Sequence, residues 1–266
     1  MEGPSGVVAL VLLETAAGAT AFLWLTGLWG NVKRGYFVLT SSVALACALL
    51  ATLAASGAVP AAGGTPSAAP GAAGLRLAVV ATSATSVLLG LSLSALILRL
   101  DAAGRALGLG ATVAAGAALV ASARAVDPSF GSALLQLAAG AAFMGAVAGG
   151  LLLGHWYLVD RRLRRDHIRR YAVLLLAAVV LEAAVIAALG FGRPAGEGFS
   201  PILQIAGLST WLALGMVACT ALIAVLIRAT LKGAGARAVQ AATGFFYLAV
   251  ITAFTAEMAA KAGFVG

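Results

Sequence analysis

Long apolar segments separated by short charged or polar connections make up most of the chain. A bilayer core of about 30 Å requires roughly 20 apolar residues in a helix that rises about 1.5 Å per residue. Eight segments reach that length, and they are too long and too uniformly apolar for membrane strands. The pattern predicts eight transmembrane helices, near Val7–Trp29, Tyr36–Ala55, Leu77–Leu98, Ala106–Ala123, Ser132–Val159, Tyr171–Phe191, Pro201–Ile227 and Ala238–Ala260.

Composition excludes a soluble globular protein. Hydrophobic residues form 62% of the 266 residues and charged residues only 10%, whereas soluble proteins have about 45–50% and about 25%. We therefore expect an all-α polytopic integral membrane protein that crosses the inner (cytoplasmic) membrane several times. The two cysteines, Cys47 and Cys219, lie inside apolar runs without CxxC spacing, so no thiolate metal site is expected.

The distribution of cations predicts the orientation of the helices. Thirteen of the 17 Lys and Arg residues lie in the connections that follow the first, third, fifth and seventh helices. The opposite side holds four cations, Arg76, Arg124, Arg193 and Lys261. Because cytoplasmic loops are enriched in Lys and Arg, both termini are predicted to lie outside. The net charge of +8 is therefore interpreted as a topology signal, and no nucleic-acid partner is expected.

A short internal similarity suggests that the chain consists of two related halves. The sequence Leu12–Ala19 matches Leu134–Ala141 at six of eight positions. A four-helix unit repeated in parallel would place both segments in the same orientation, with a first half at residues 1–125 and a second at 126–266. The abundance of Ala, Leu and Gly leaves open the alternative that the matches arose by chance.

Polar residues inside the predicted spans are the candidates for function, because each ionisable group costs about 2.5–3.5 kcal/mol to insert. Glu14, Glu182 and Glu257 lie in the predicted outer half of three helices, and Gln136 and Gln204 lie near the outer ends of two more. No comparable set is expected in the inner half. These five residues predict a cavity that opens towards the outer face.

Aromatic residues extend this candidate site. Helical spacing predicts that Thr243, Tyr247, Phe254, Glu257 and Lys261 share one face of the last helix, and that Trp211 lies on the same face as Gln204. An acid beside aromatic groups suits a flat ligand whose head group exchanges protons. The complete set of candidates for a quinone or proton site is Glu14, Gln136, Glu182, Gln204, Trp211, Tyr247 and Glu257. Alternatively, each glutamate is protonated and hydrogen-bonded to a neighbouring carbonyl or hydroxyl group. Glu257 has a further alternative, which is to pair with Lys261 at i+4 near the interface.

Histidines and known catalytic motifs limit the other possibilities. His155 is the one histidine predicted within a span and is a candidate haem ligand or proton relay. A bis-histidine haem requires a second histidine at membrane depth, so haem is disfavoured. Walker A, GxSxG and HExxH motifs are absent from the sequence, and no catalytic or metal-ligating residue is assigned.

Eight spans in two four-helix halves, with Glu14 before the Ala16–Ala19 turn of the first helix, resemble the NrfD/polysulfide-reductase family of membrane anchors. The resemblance implies that quinol binds within the membrane without haem and that electrons pass to an iron–sulfur partner. Glu14 is the one residue for which it implies a role, as a quinol-site residue. The chain would then be a quinone-binding subunit without catalytic activity of its own.

Three functions follow as hypotheses. The first is a membrane subunit of a respiratory complex that interacts with quinone near the outer face, with lipids and other subunits as partners and no covalently bound cofactor. The second is a proton- or cation-coupled transporter of a small solute, which predicts broken helices and a path through the membrane. The third is a structural or assembly protein in which the glutamates only pack.

Overall fold

A computed structural model describes residues 3–30, 32–57, 72–126, 129–160, 163–191, 205, 207–233 and 235–263. Eight helices in this part of the chain are long and apolar enough to cross a membrane, which confirms an all-α polytopic membrane architecture. They are α1 (Gly3–Leu28), α2 (Arg34–Ser56), α3 (Ala72–Ile97), α4 (Asp101–Val126), α5 (Phe130–Val159), α6 (Arg165–Leu189), α7 (Leu208–Thr230) and α8 (Ala236–Ala262). All eight run without an internal break.

The helices α1 and α5 form the centre of the bundle. In their most apolar stretches 72% and 78% of the residues are buried, against 33% to 44% in the other six helices. Helix α1 packs against α2, α4, α5 and α8, and α5 packs against α1, α4, α6 and α8. Any polar side chain on the inner faces of these two helices is therefore shielded from the lipid.

Small residues allow α1 and α5 to approach each other closely. A Cβ atom added to Gly145 would lie 2.6 Å from the carbonyl carbon of Gly18, and one added to Gly18 would collide with the carbonyl oxygen of Ala141. Further along α5, Gly149 leaves room for the ring of Tyr171. Backbone contact through glycines is a common way for membrane helices to associate, and it brings the two central helices of this bundle into close contact.

The outer surface of the bundle is apolar. Large side chains on the peripheral helices are exposed, among them Leu53 (67%), Val113 (74%), Val180 (68%) and Ile251 (63%). In water such a surface would drive aggregation, whereas in a bilayer it faces lipid chains. The exposure pattern thus agrees with the membrane location predicted from composition.

Several predicted boundaries were wrong, because charged residues were taken as helix ends. Helix α4 was expected to be the shortest span, but it begins at Asp101, includes Arg105 and has 26 residues. Helix α6 begins at Arg165, so part of the arginine-rich connection belongs to its first turns. Long cationic side chains on a terminal turn can extend to the interface, and for this reason they do not end a helix. The predicted seventh helix began at Pro201; α7 begins at Leu208, and residues 201–204 and 206 lie outside the described residues.

Ionic and cation–π contacts join the helix ends on one side of the bundle, which we call the basic end. Lys33 contacts Asp160 at 2.8 Å and Arg34 contacts Asp101 at 3.6 Å. These contacts link the beginning of α2 to the end of α5 and to the beginning of α4. The guanidinium of Arg170 lies 5.2 Å from the ring centre of Trp29.

We predict that Gly18→Ala destabilises the protein by about 1–3 kcal/mol, the usual cost of overpacking a tight core. The added methyl group would press on the α5 backbone, which cannot move without displacing its neighbours. Thermal unfolding in detergent measures the effect. The control is Gly116→Ala in α4, where a Cβ atom meets nothing within 4 Å. Equal unfolding temperatures for the two variants would contradict the close α1–α5 contact.

Candidate functional site: a buried carboxylate–lysine cluster

Four ionisable residues from three helices meet inside the bundle, in the half remote from the basic end. Glu14 of α1, Glu182 of α6, and Glu257 and Lys261 of α8 are each 0% or 1% exposed. We refer to these four residues as the carboxylate–lysine cluster. Two of them, Glu14 and Glu257, project from α1 and α8, which pack directly against each other.

Lys261 holds the cluster together through its ammonium group. Its Nζ lies 3.0 Å from Oε1 of Glu14 and 3.1 Å from Oε2 of Glu257. The same nitrogen donates a hydrogen bond of 3.3 Å to the backbone carbonyl of Gln136 in α5. Glu257 and Lys261 are four residues apart on one helix face, so the last turns of α8 present an acid and a base together.

A glycine in α5 provides the space for two of the carboxyl groups. A Cβ atom on Gly140 would lie 2.6 Å from Oε1 of Glu14 and 2.9 Å from Oε2 of Glu257. Any larger residue at this position would displace one or both side chains. Because Gly140 follows Gln136 by one helical turn, α5 supplies both the free space and the carbonyl acceptor for Lys261.

The cluster contains more acids than bases. One ammonium group faces three carboxyl groups, and Glu182 interacts electrostatically with Glu257, Lys261 and Glu14. Four carboxyl oxygens form no hydrogen bond within the described residues: Oε1 and Oε2 of Glu14, Oε2 of Glu182 and Oε1 of Glu257, of which Oε1 of Glu14 contacts Lys261 as an ion pair. Electrostatic interactions link the Glu257 carboxyl to those of Glu14 and Glu182. The arrangement therefore has room for exchangeable protons.

The structure brings together four of the seven predicted site residues. Glu14, Glu182 and Glu257 form the cluster, and Gln136 contributes through its backbone while being 7% exposed. Gln204 lies outside the described residues.

Trp211 and Tyr247 lie elsewhere. Trp211 is 64% exposed and packs edge-on against Phe191, with ring centres 5.3 Å apart. Tyr247 is 51% exposed and ten residues from Glu257, or about 15 Å along the helix.

The residues predicted to share one face of α8 differ in exposure. Thr243, Glu257 and Lys261 are buried, whereas Tyr247 and Phe254 are exposed. In a membrane the outward face is as apolar as the packed one, so aromatic spacing does not reveal which face is buried. Small residues indicate it better: the packed face of α8 includes Ala242, Ala249, Ala253 and Ala256.

Lys261 has a larger role than the sequence suggested. Its predicted contact with Glu257 is present, but both residues are buried rather than placed at the interface. Helix α8 continues to Ala262, and Lys261 lies under the cover of the neighbouring helices. One signal in the sequence could have indicated this role. An acid and a base lie at i,i+4 near the end of the last span, and two other spans also contain an acid.

A second buried polar network lies towards the basic end, where none was expected. The hydroxyl of Tyr171 lies 2.6 Å from Oγ1 of Thr26 and 3.2 Å from the hydroxyl of Tyr36. It also lies 3.1 Å from the carbonyl oxygen of Phe22. Hydroxyl groups of Tyr and Thr have no charge to bury, so this network ties α1, α2 and α6 together without ion pairing.

The two histidines lie near the basic end. His155 is exposed near the end of α5. His167 is buried in the first turn of α6 and stacks on Trp29 with ring centres 5.8 Å apart. Within the described residues, no group of three or more His, Cys, Asp or Glu side chains is arranged to hold a metal ion.

Open cavities occur near the basic end. One of about 690 Å³ lies between α1, α2 and α4, and is lined by Trp24, Phe37 and Arg105 among others. Another of about 610 Å³ adjoins Trp29 and Arg170. The side chains of the carboxylate–lysine cluster line neither cavity. The residues predicted to line an outward-opening cavity therefore include three that form a buried, charged cluster.

We predict that Lys261→Met destabilises the protein by about 3–5 kcal/mol, the typical cost of removing one partner from a buried ion pair. The Glu14 and Glu257 carboxyl groups would lose the cation they share. Adding Glu14→Gln and Glu257→Gln should recover most of the stability by removing the uncompensated charges. Thermal unfolding in detergent compares the two variants. An unfolding temperature of Lys261→Met equal to that of the unsubstituted protein would show that the ion pairs contribute nothing.

The chain thus combines an uninterrupted helical bundle with one closed cluster of acids around a lysine. No protein-family model matches it, and neither does any curated protein or solved structure. The resemblance to the NrfD family therefore rests on the sequence pattern.

Proposed function

We propose that the protein is an integral membrane subunit of a redox complex and that its carboxylate–lysine cluster exchanges protons with a quinol near the outer face of the membrane. The observation behind this proposal is the excess of buried acids: three carboxyl groups around one ammonium group, at 0% or 1% exposure. Ionisable groups at such depth are usually retained for function, because their insertion is costly.

Charge balance defines what the cluster would do. If all three acids were ionised, the site would have two uncompensated negative charges in a medium that solvates ions poorly. The low-energy state has Lys261 charged, one carboxylate ionised and two carboxyl groups protonated. Loss of either proton leaves a second negative charge that another positive charge must compensate. Proton release from the cluster is therefore coupled to the arrival of a positive charge there.

Quinol oxidation has the matching chemistry. A quinol gives up protons as it is oxidised, and a nearby carboxylate can accept one by general base catalysis. Glu14 would be the first acceptor, since the family resemblance implies a quinol-site role for it. Glu257 and Glu182 would then take over the proton from Glu14. Lys261 would keep at least one carboxylate ionised and able to accept a proton.

The unbroken helices favour proton exchange on one side of the membrane over transport of a solute through it. All eight helices are unbroken in the described residues, whereas a through-path was expected to interrupt them. On α1, Gly18 lies between Glu14 and Thr26, and its backbone touches α5 at Gly145. This close backbone contact lies between the cluster and the Tyr171 network.

A proposed topology accompanies this function. We infer that residues 1–125 and 126–266 form two parallel four-helix halves with both termini outside, so that the basic end faces the cytoplasm. Contacts of α1 with α2 and α4, and of α5 with α6 and α8, support such a division. Glu14 and Gln136 occupy equivalent places in the two halves, and both contribute to the same cluster.

A second candidate is proton- or cation-coupled solute transport. The closure of the cluster favours it, because a site that is almost completely buried suits a proton or small cation better than a bulky head group. Proteoliposomes that contain the protein alone separate the two functions. Proton flux without any redox partner supports transport, whereas flux that requires quinol and an electron acceptor supports the first proposal.

We predict that Glu14→Gln and Glu257→Gln each lower quinol-linked turnover of the assembled complex by about 100-fold or more, the usual range for a lost proton acceptor. The amide keeps the shape of the side chain but cannot take up the proton. Quinol-dependent reduction of the acceptor subunit measures the effect, and unfolding temperature monitors the fold.

Asp166→Asn is the matched control for these variants. Asp166 is a carboxylate near the basic end that pairs with Arg164 at 2.9 Å, so its neutralisation should leave turnover unchanged. If both glutamine variants retain full turnover, the glutamates of the cluster only pack, and their assignment to the quinol site is rejected.

Topology can be tested independently of activity. Reporter fusions after Arg165 and Lys232 should report the cytoplasm, and fusions after Gly64 and Gly196 should report the outside, because Lys and Arg are retained on the cytoplasmic side. Opposite signals from either pair would reject the orientation with both termini outside.

A further inference from the structure

A small cavity near the basic end is surrounded by cations and lies apart from the carboxylate–lysine cluster. It has a volume of about 210 Å³ and is lined by Arg169 of α6, by Arg228 and Lys232 around the end of α7, and by Ala172, Val173 and Leu231. The three cationic side chains are exposed. None of them forms an ion pair with an acid of the described residues.

The cavity is held in shape by hydrogen bonds between the two helices. Arg169 donates to the carbonyl oxygen of Leu231 at 3.2 Å, and Arg165 donates to that of Gly233. Both carbonyl groups lie just after the end of α7. The bonds fix the end of α7 on the first turns of α6, and this brings Arg228 and Lys232 beside Arg169.

Like charges at this spacing repel one another, so the arrangement calls for an anion. The nearby acid Asp166 is engaged by Arg164 at 2.9 Å. Planar guanidinium groups and an ammonium group are well suited to the oxygens of a phosphate. The chemistry of the cavity therefore matches a phosphate group with a net negative charge.

The surroundings of the cavity match a lipid rather than a free phosphate. Val173, which lines the cavity, is 51% exposed, and Val180 on the same face of α6 is 68% exposed. On α7, Val225 precedes Arg228 by one turn and is 53% exposed. A phosphate between the cations would thus have an apolar surface directly below it, as the acyl chains of a phospholipid require.

We propose that the end of α7 and the first turns of α6 form a binding site for one anionic phospholipid, whose phosphate is bound by Arg169, Arg228 and Lys232. The acyl chains lie along the exposed apolar faces of α6 and α7. The bound lipid neutralises the repulsion among the cations and stabilises the contact between the two helices. This proposal does not depend on the function of the carboxylate–lysine cluster.

The test uses the full-length protein purified in detergent. Phosphatidylglycerol and phosphatidylcholine with identical acyl chains are added in turn, and inorganic phosphate is added alone. Phosphatidylglycerol is expected to raise the unfolding temperature with increasing concentration, since it binds the folded state, and to remain attached in native mass spectrometry. Phosphatidylcholine and inorganic phosphate are expected to do neither.

Substitutions locate the binding. Arg228→Gln and Lys232→Gln should each weaken the apparent affinity for phosphatidylglycerol about fivefold, the effect of one interfacial cation. Arg237→Gln is the control, because Arg237 is an exposed cation in the first turn of α8 that does not line the cavity. All three residues are exposed, so the variants should fold, and size-exclusion chromatography verifies this.

Three results would overturn the proposal. Equal stabilisation by the two lipids would show that the negative charge is irrelevant. Stabilisation by inorganic phosphate equal to that by phosphatidylglycerol, with no lipid retained, would identify a free anion as the ligand. Equal loss of affinity in Arg237→Gln and Arg228→Gln would show that only the overall charge of the basic end matters.

Discussion

The ammonium group of Lys261 constrains the structure more than any other single group. It contacts carboxylates from α1 and α8 and a backbone carbonyl of α5, all within 3.3 Å. Glu182 brings α6 into the same electrostatic field. In the interior of a bilayer an ion without a partner costs several kcal/mol, so the helices α1, α5, α6 and α8 must hold these positions together.

The glycines of α1 and α5 make that arrangement possible. Gly140 leaves the space that the carboxyl groups of Glu14 and Glu257 occupy, while Gly18 and Gly145 bring the two central helices into backbone contact. The same pair of helices thus provides the space for the two carboxyl groups and the tight packing next to them. Since charged groups can exchange protons only where they are close and poorly solvated, the packing sets the conditions for the proposed chemistry.

The two ends of the bundle use charge differently. At the basic end, cations are exposed and contact acids or carbonyl groups of neighbouring helix ends, as Lys33 does with Asp160. Such contacts are weak in water, and their cations remain available to lipid head groups. In the opposite half, the four side chains of the carboxylate–lysine cluster are buried and partner one another. The first arrangement suits binding at a membrane surface, and the second suits the retention and exchange of protons.

The sequence by itself predicted the number of helices, their membrane location and the position of Glu14, Glu182 and Glu257 within spans, because apolar length is a local property of the chain. It could not determine which faces are packed, since both the lipid and the protein interior select apolar side chains. Tyr247 was therefore grouped with Glu257, although the two lie on differently exposed faces of α8. Only the tertiary structure placed Lys261 between acids of two helices and showed that Gly140 makes room for them. Apart from the i,i+4 pair of Glu257 and Lys261, those contacts join residues more than a hundred positions apart, and such proximity depends on how the helices pack.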